Sequence, residues 1–156
     1  MERSNTRLPK RGRCSMPEIE KVITVAGEWV KKAENDLKNA IFTLEMDDEC
    51  PTDTVCFHAQ QVVEKYLKAL LVFKGIPFPK THNIEDIIAL LPPGCRPKLN
   101  ENDQEKLTEY ATVTRYPGDY EPISLDEAKK AVRIARSVRR EIRKLLPKPA
   151  LSSRKK

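Results

Sequence analysis

Three short stretches hold the side chains whose types and spacing could do chemistry. The first, CFHAQQVVEKYLKALLVFKG at 56–75, carries His58, Gln60, Gln61, Glu64, Lys65 and Lys68 within eleven positions. Neighbouring amides such as Gln60 and Gln61 suit hydrogen bonding to a partner or a nucleotide edge, and Glu64 and Lys68 form an i,i+4 pair in the favourable order. The second, KTHN at 80–83, sets Lys80 and His82 just before a helix start, where free backbone N–H groups and the helix dipole favour an anion. The plainer alternative is that Thr81 or Asn83 caps that helix and His82 bonds nearby backbone. The third, TRYPGDY at 114–120, places Arg115 between Thr114 and Tyr116, with Tyr120 beyond a Pro-Gly bend. An arginine beside aromatics can hold a phosphate while a ring stacks on a base; equally, Arg115 could pair with Asp119 or another carboxylate.

These groups need elements to hold them. Ser15, Pro17 and Glu18 read as a helix start, and apolar residues recurring at three and four from Ile19 to Leu44 predict one long helix to about residue 46. After DDECPTD, Thr52 or Asp53 is expected to cap a second long helix that Gly75 and Pro77 end. A short helix follows from Asn83 to the Pro-Pro-Gly at 92–94, and another runs from Asn100 to about Thr114. Ser124 and Glu127 form a capping box opening a third long helix to Leu146. No segment alternates with period two. The expected fold is therefore all-α, an up-and-down antiparallel bundle of about five helices, three long and two shorter.

Wound as a helix, 57–73 has a core arc of Ala59, Val62, Val63, Tyr66, Leu67, Ala69, Leu70 and Phe73. The opposite arc holds the amides and charges. It is either a solvated face or a partner-facing one, and Phe57, Leu71 and Val72 within it favour cover by a second subunit. The last helix similarly gathers Lys129, Arg133, Arg136, Arg140, Arg143 and Lys144 opposite its apolar side. No aromatic interleaves with them, so that stripe reads as a solvated face rather than a nucleic-acid surface.

The net charge of +6 sits mostly at the ends, since residues 1–15 and 147–156 carry +4 each, leaving −2 on 16–146. Both ends have the composition of unstructured basic tails, so 16–146 is read as the single folded domain, and Met16 is a candidate natural start. No run of 18 apolar residues and no secretory core is found, which points to a cytoplasmic protein with no membrane contact. The scattered cysteines 14, 50, 56 and 95 suggest reduced thiols, and without a CxxC pair neither a metal site nor a cofactor is expected.

GEWVKKAENDLKNA, FHAQQVVEKYLKALLVFKG, PFPKTHNIEDIIALL, TRYPGDY and EAKKAVRIARSV, in that order, resemble the HEPN domain family of prokaryotes. The resemblance implies an all-α bundle, usually a homodimer, often encoded beside a minimal nucleotidyltransferase in toxin-antitoxin or defence pairs. Many such proteins are metal-independent ribonucleases whose active site is an Arg followed after four to six residues by His. Here Arg115 matches, but Tyr120, Glu121 and Pro122 stand where that His would be. The implied function is thus a nucleotide- or RNA-binding module, a dimeric partner of a nucleotidyltransferase, with Gln61, Lys65, Lys68, Lys80, His82, Arg115 and Tyr116 as contacts. One alternative is a ribonuclease toxin in which Arg115 works with His82 or Tyr120; the other is a structural dimer without ligand. A tyrosine, titrating near pH 10, is a poor base beside a histidine at about 6.5, so the chain alone is expected to cleave RNA negligibly.

Overall fold

The computed structural model describes residues 16–112, 118 and 121–152 of the chain. The 1–15 tail with its Ser15 cap, Arg115, Tyr116, Asp119 and Tyr120 lie outside them. The described residues form six α-helices and no strand: α1 (Met16–Leu44), α2 (Thr52–Phe73), α3 (Ile84–Leu90), α4 (Glu101–Tyr110), α5 (Leu125–Leu145) and α6 (Lys148–Leu151). The all-α up-and-down bundle is as expected.

α2 is the axis of the bundle, because both α1 and α5 pack along it and α3 and α4 close one side. Its core arc is realised: Ala59, Val62, Val63, Tyr66, Leu67, Ala69 and Leu70 are fully buried. The end of α2 follows from Gly75, whose φ of 69° lets Gly75 N–H reach Val72 O at 3.0 Å and Ile76 N–H reach Leu71 O at 2.9 Å. Those two bonds satisfy carbonyls the helix would otherwise leave open.

Local chemistry corrects several sequence expectations. The second long helix starts on Pro51 rather than on a Thr52 or Asp53 cap; Thr52 Oγ1 instead donates to Ile123 O at 2.7 Å, tying the starts of α2 and α5 together. Ser124 does cap α5 through Glu127 N, but Glu127's carboxylate turns to Tyr110 Oη at 2.6 Å, so only half of the capping box forms. α4 stops at Tyr110, short of Thr114. The segment from 147, read as an unstructured tail, instead makes the turn of α6. Ala150 there is 3% exposed and lies against Gly27 of α1, where a Cβ would come within 3.4 Å of Ala150 O. Composition hid this turn because only Ala150 and Leu151 dock it.

Leu71 is a further correction. Expected on a face that a partner subunit covers, it is fully buried inside the single chain, while Phe57 and Val72 are half-buried. α2 is enclosed on more than its core arc, so an angle on the helix wheel did not report exposure.

Candidate functional site

The same enclosure changes the meaning of the polar arc of α2. Gln60, Glu64 and Lys68 are all buried, and none of their polar atoms lacks a partner. Glu64 is the hub: its carboxylate accepts from Gln60 Nε2 at 2.6 Å, Lys68 Nζ at 2.7 Å and His82 Nδ1 at 2.9 Å. Gln61 Nε2 extends the chain by donating to Gln60 Oε1 at 2.6 Å. Burial alone pushes the Glu64 carboxyl up, but the hydrogen bonds from Lys68, His82 and Gln60, with the lysine's charge, outweigh it and hold the group below its ordinary value. Glu64 is thus a buried carboxylate that its neighbours keep ionised.

Two aromatic rings complete the enclosure. Lys68 Nζ lies 5.6 Å from the Trp29 ring centroid and 5.8 Å from that of Phe78, close enough for both faces to attract the cation. Trp29 and Phe78 meet edge to face at 6.3 Å, clamping the 75–83 loop against α1. The loop is anchored twice, by Phe78 and by His82. Asn83 then starts α3, its Oδ1 accepting from Asp86 N at 3.0 Å. So Asn83 is the cap, and His82 bonds a buried side chain rather than nearby backbone.

Further along the α1–α2 seam, Asp36 repeats the arrangement, accepting from His58 Nδ1 at 2.8 Å and Lys65 Nζ at 2.5 Å. Both histidines of the chain therefore hang by Nδ1 on a buried carboxylate, which fixes the ring and leaves Nε2 outside that bond. They differ in access. The His58 side chain is 22% exposed and that of His82 69%.

The expected ligand contacts separate accordingly. Lys65 and Lys68 are each paired with a carboxylate, and Gln61 gives one amide N–H to Gln60 while its second N–H and its carbonyl oxygen are not used in that bond. Lys80 and His82 are exposed on the same loop. Sequence reading missed Asp36, Trp29 and Phe78 as members of the site. The available signal was Asp36 itself, an acid set among Ala33, Leu37 and Ala40 on the stripe that α1 turns toward α2.

A third carboxylate, Glu34, faces another way. It accepts from Arg139 Nε at 2.6 Å, Arg143 at 3.4 Å and the Tyr66 hydroxyl. Burial pushes its carboxyl up, and the Arg139 and Tyr66 hydrogen bonds reverse this to hold it below the ordinary value. Tyr66 is pushed up to about 12 by burial and the neighbouring carboxylate. Arg143, expected on the solvated stripe of the last helix, is in fact half-buried in this cluster. Lys129, Arg133, Arg136, Arg140 and Lys144 do stand exposed. Among the described residues no three His, Cys, Asp or Glu side chains cluster as metal ligands, and no helix is long and apolar enough to cross a membrane.

The HEPN domain family model matches residues 26–145. The crystal structure of TT1696 from Thermus thermophilus is similar, at 27% identity and a TM-score of 0.62 over 76% of this chain and 96% of that one. No curated protein matches the sequence.

Proposed function

Starting from a chain that belongs to the HEPN domain family, we propose that it recognises RNA or a nucleotide through phosphate, with His82 as the principal contact and Lys80 beside it. The observation that carries this reading is the mounting of His82. A side chain 69% exposed is held by Nδ1 on a carboxylate 4% exposed, so the imidazole is rigid where it is buried and available where it is not. Among the described residues its Nε2 has no partner. A fixed imidazole loses little freedom when it donates to a phosphate oxygen. Arg115 and Tyr116, by sequence, would add a guanidinium and a stacking ring.

The same mounting favours a second reading, a ribonuclease. A carboxylate that orients an imidazole is half of the familiar general-base arrangement, and a partnered arginine would supply charge for the scissile phosphate. In either case we propose a homodimeric partner of a minimal nucleotidyltransferase, which rests on the family alone. For dimer contact, Phe42 is a better candidate than Leu71, being 70% exposed.

The test is paired: anisotropy and cleavage of one end-labelled RNA with wild type, His82→Ala and Arg115→Ala, with light scattering on the same samples. Binding that weakens at least tenfold in both variants, without cleavage, is the expected result. Cleavage by wild type that disappears in His82→Ala selects the ribonuclease. Wild-type binding unchanged in both variants refutes the site.

A further inference from the structure

A cleft lies on the other side of α1 from Trp29 and Asp36. Wound at about 100° per residue, Trp29 and Asp36 point roughly opposite to Gly27, Lys31 and Lys38, so this cleft shares no wall with the His82 site. It has a volume of about 570 Å³ and is bounded by α1, by Arg139 and Arg143 of α5, and by Pro149–Ser152. The α6 wall lies beyond the segment that the family model matches. α6 packs on α1 at Gly27, where an added Cβ would make ordinary contact with the Ala150 carbonyl at 3.4 Å.

Its chemistry is that of an anion site with an apolar end. Four cations, Lys31, Lys38, Arg139 and Arg143, line it against two carboxylates, Glu28 and Glu34, an excess of two positive charges. Glu34 acts as a mount for the arginines. It takes the Nε of Arg139 and one terminal nitrogen of Arg143, and the Tyr66 hydroxyl accepts from that same nitrogen at 3.1 Å. Each guanidinium has five N–H donors in a fixed fork, so both keep donors that Glu34 does not use. Lys31 and Lys38 are exposed at the rim and form no ion pair with a described carboxylate. Ile23, Val30 and Leu151 supply apolar wall. A volume within the roughly 300–1,000 Å³ of small-molecule sites is more than a bare inorganic ion needs.

We infer that this cleft binds a small phosphate monoester carrying an apolar or aromatic group. The two negative charges of the monoester meet the charge excess, the arginine forks match its oxygens, and the substituent lies along Ile23 and Leu151.

Calorimetry on the full chain at fixed ionic strength tests this with three probes: phenyl phosphate, inorganic phosphate and a 5′-phosphorylated tetranucleotide. The expected result is one saturable site for phenyl phosphate, at least fivefold tighter than inorganic phosphate and no weaker than the tetranucleotide. The Lys31→Glu/Lys38→Glu double variant changes only exposed rim residues, and its unliganded melting temperature checks that it folds. It should weaken phenyl phosphate at least tenfold. Absence of saturable binding overturns the inference, as does binding indifferent to the lysine changes. Phenyl phosphate binding lost in His82→Ala moves the ligand to the opposite side of α1 and also overturns it. A tetranucleotide that binds more tightly than phenyl phosphate assigns the phosphate to nucleic acid instead.

Discussion

Cutting the Glu64–Lys68 pair measures whether the polar side of α2 is a sealed network or a wet face. Side-chain exposures of 4% and 7% put both charges out of water, with a 2.7 Å contact between them. Removing one partner from a buried pair strands the other, at about 3–5 kcal/mol. Glu64→Leu should sit in that range, because Lys68 keeps only the Trp29 and Phe78 rings while Gln60 and His82 also lose their acceptor. Lys68→Met should cost less, since Glu64 still accepts from Gln60 and His82.

The double variant Glu64→Leu/Lys68→Met separates the possibilities. With both charges gone no ion is stranded, and apolar replacements of buried pairs are often neutral or stabilising. The double variant should therefore be more stable than Glu64→Leu alone, with a coupling on the order of 1–3 kcal/mol. In a chain of this length about 2–4 °C accompanies each kcal/mol, so Glu64→Leu should melt about 6–20 °C below wild type. Urea titrations of the four proteins, followed by far-UV circular dichroism, give the cycle. A Glu64→Leu cost under about 1 kcal/mol, or additive singles, would show the pair to be hydrated in solution, and the rigid mounting of His82 would fall with it.

Acid should destabilise the protein through Glu34 and Glu64. Both carboxyls lie below their ordinary 4.5 when folded, so the unfolded chain takes up protons first as pH drops. Their contribution is full above 4.5 and is lost between there and the depressed folded values, which urea midpoints from about pH 7 to about pH 3 should register; a flat profile would contradict the pairing. Gly75→Ala should cost about 1–2 kcal/mol, because φ is 69° and the added Cβ meets nothing within 4 Å that could offset the strain. A midpoint unchanged in urea would mean the α2 terminus relaxes.

Five of the six α-helices among the described residues were legible from an apolar period or from their end signals. Asn83, Ser124 and Gly75 do what their residue types suggest. Burial of the polar side of α2 was not legible, because the groups that cover it are remote in the chain. Trp29 and Asp36 come from α1 and Phe78 from a loop, and the helix wheel of 57–73 contains none of them. Lys65 looked like a ligand because its partner Asp36 lies on another helix, whereas the partner of Lys68, Glu64 four residues earlier, was readable and only its burial was not. For α6 the missing information was its partner surface on α1 around Gly27, far earlier in the chain.

Glu34 and Asp36 are two residues apart on one helix and so leave it on different sides. One binds Arg139 and Arg143 of α5, the other His58 and Lys65 of α2. α1 is thereby tied to both neighbours by charge-assisted hydrogen bonds that sliding would stretch. Apolar seams could hold the helices together equally well. They could not fix an exposed imidazole, because Nδ1 of His82 needs an ionised acceptor at a defined depth. Glu64 meets that need only where Lys68 and the two rings seal it, so the depth of the site follows from how α1 is held. A change at Glu34, far from His82, should therefore loosen that imidazole only if it lets α1 slide.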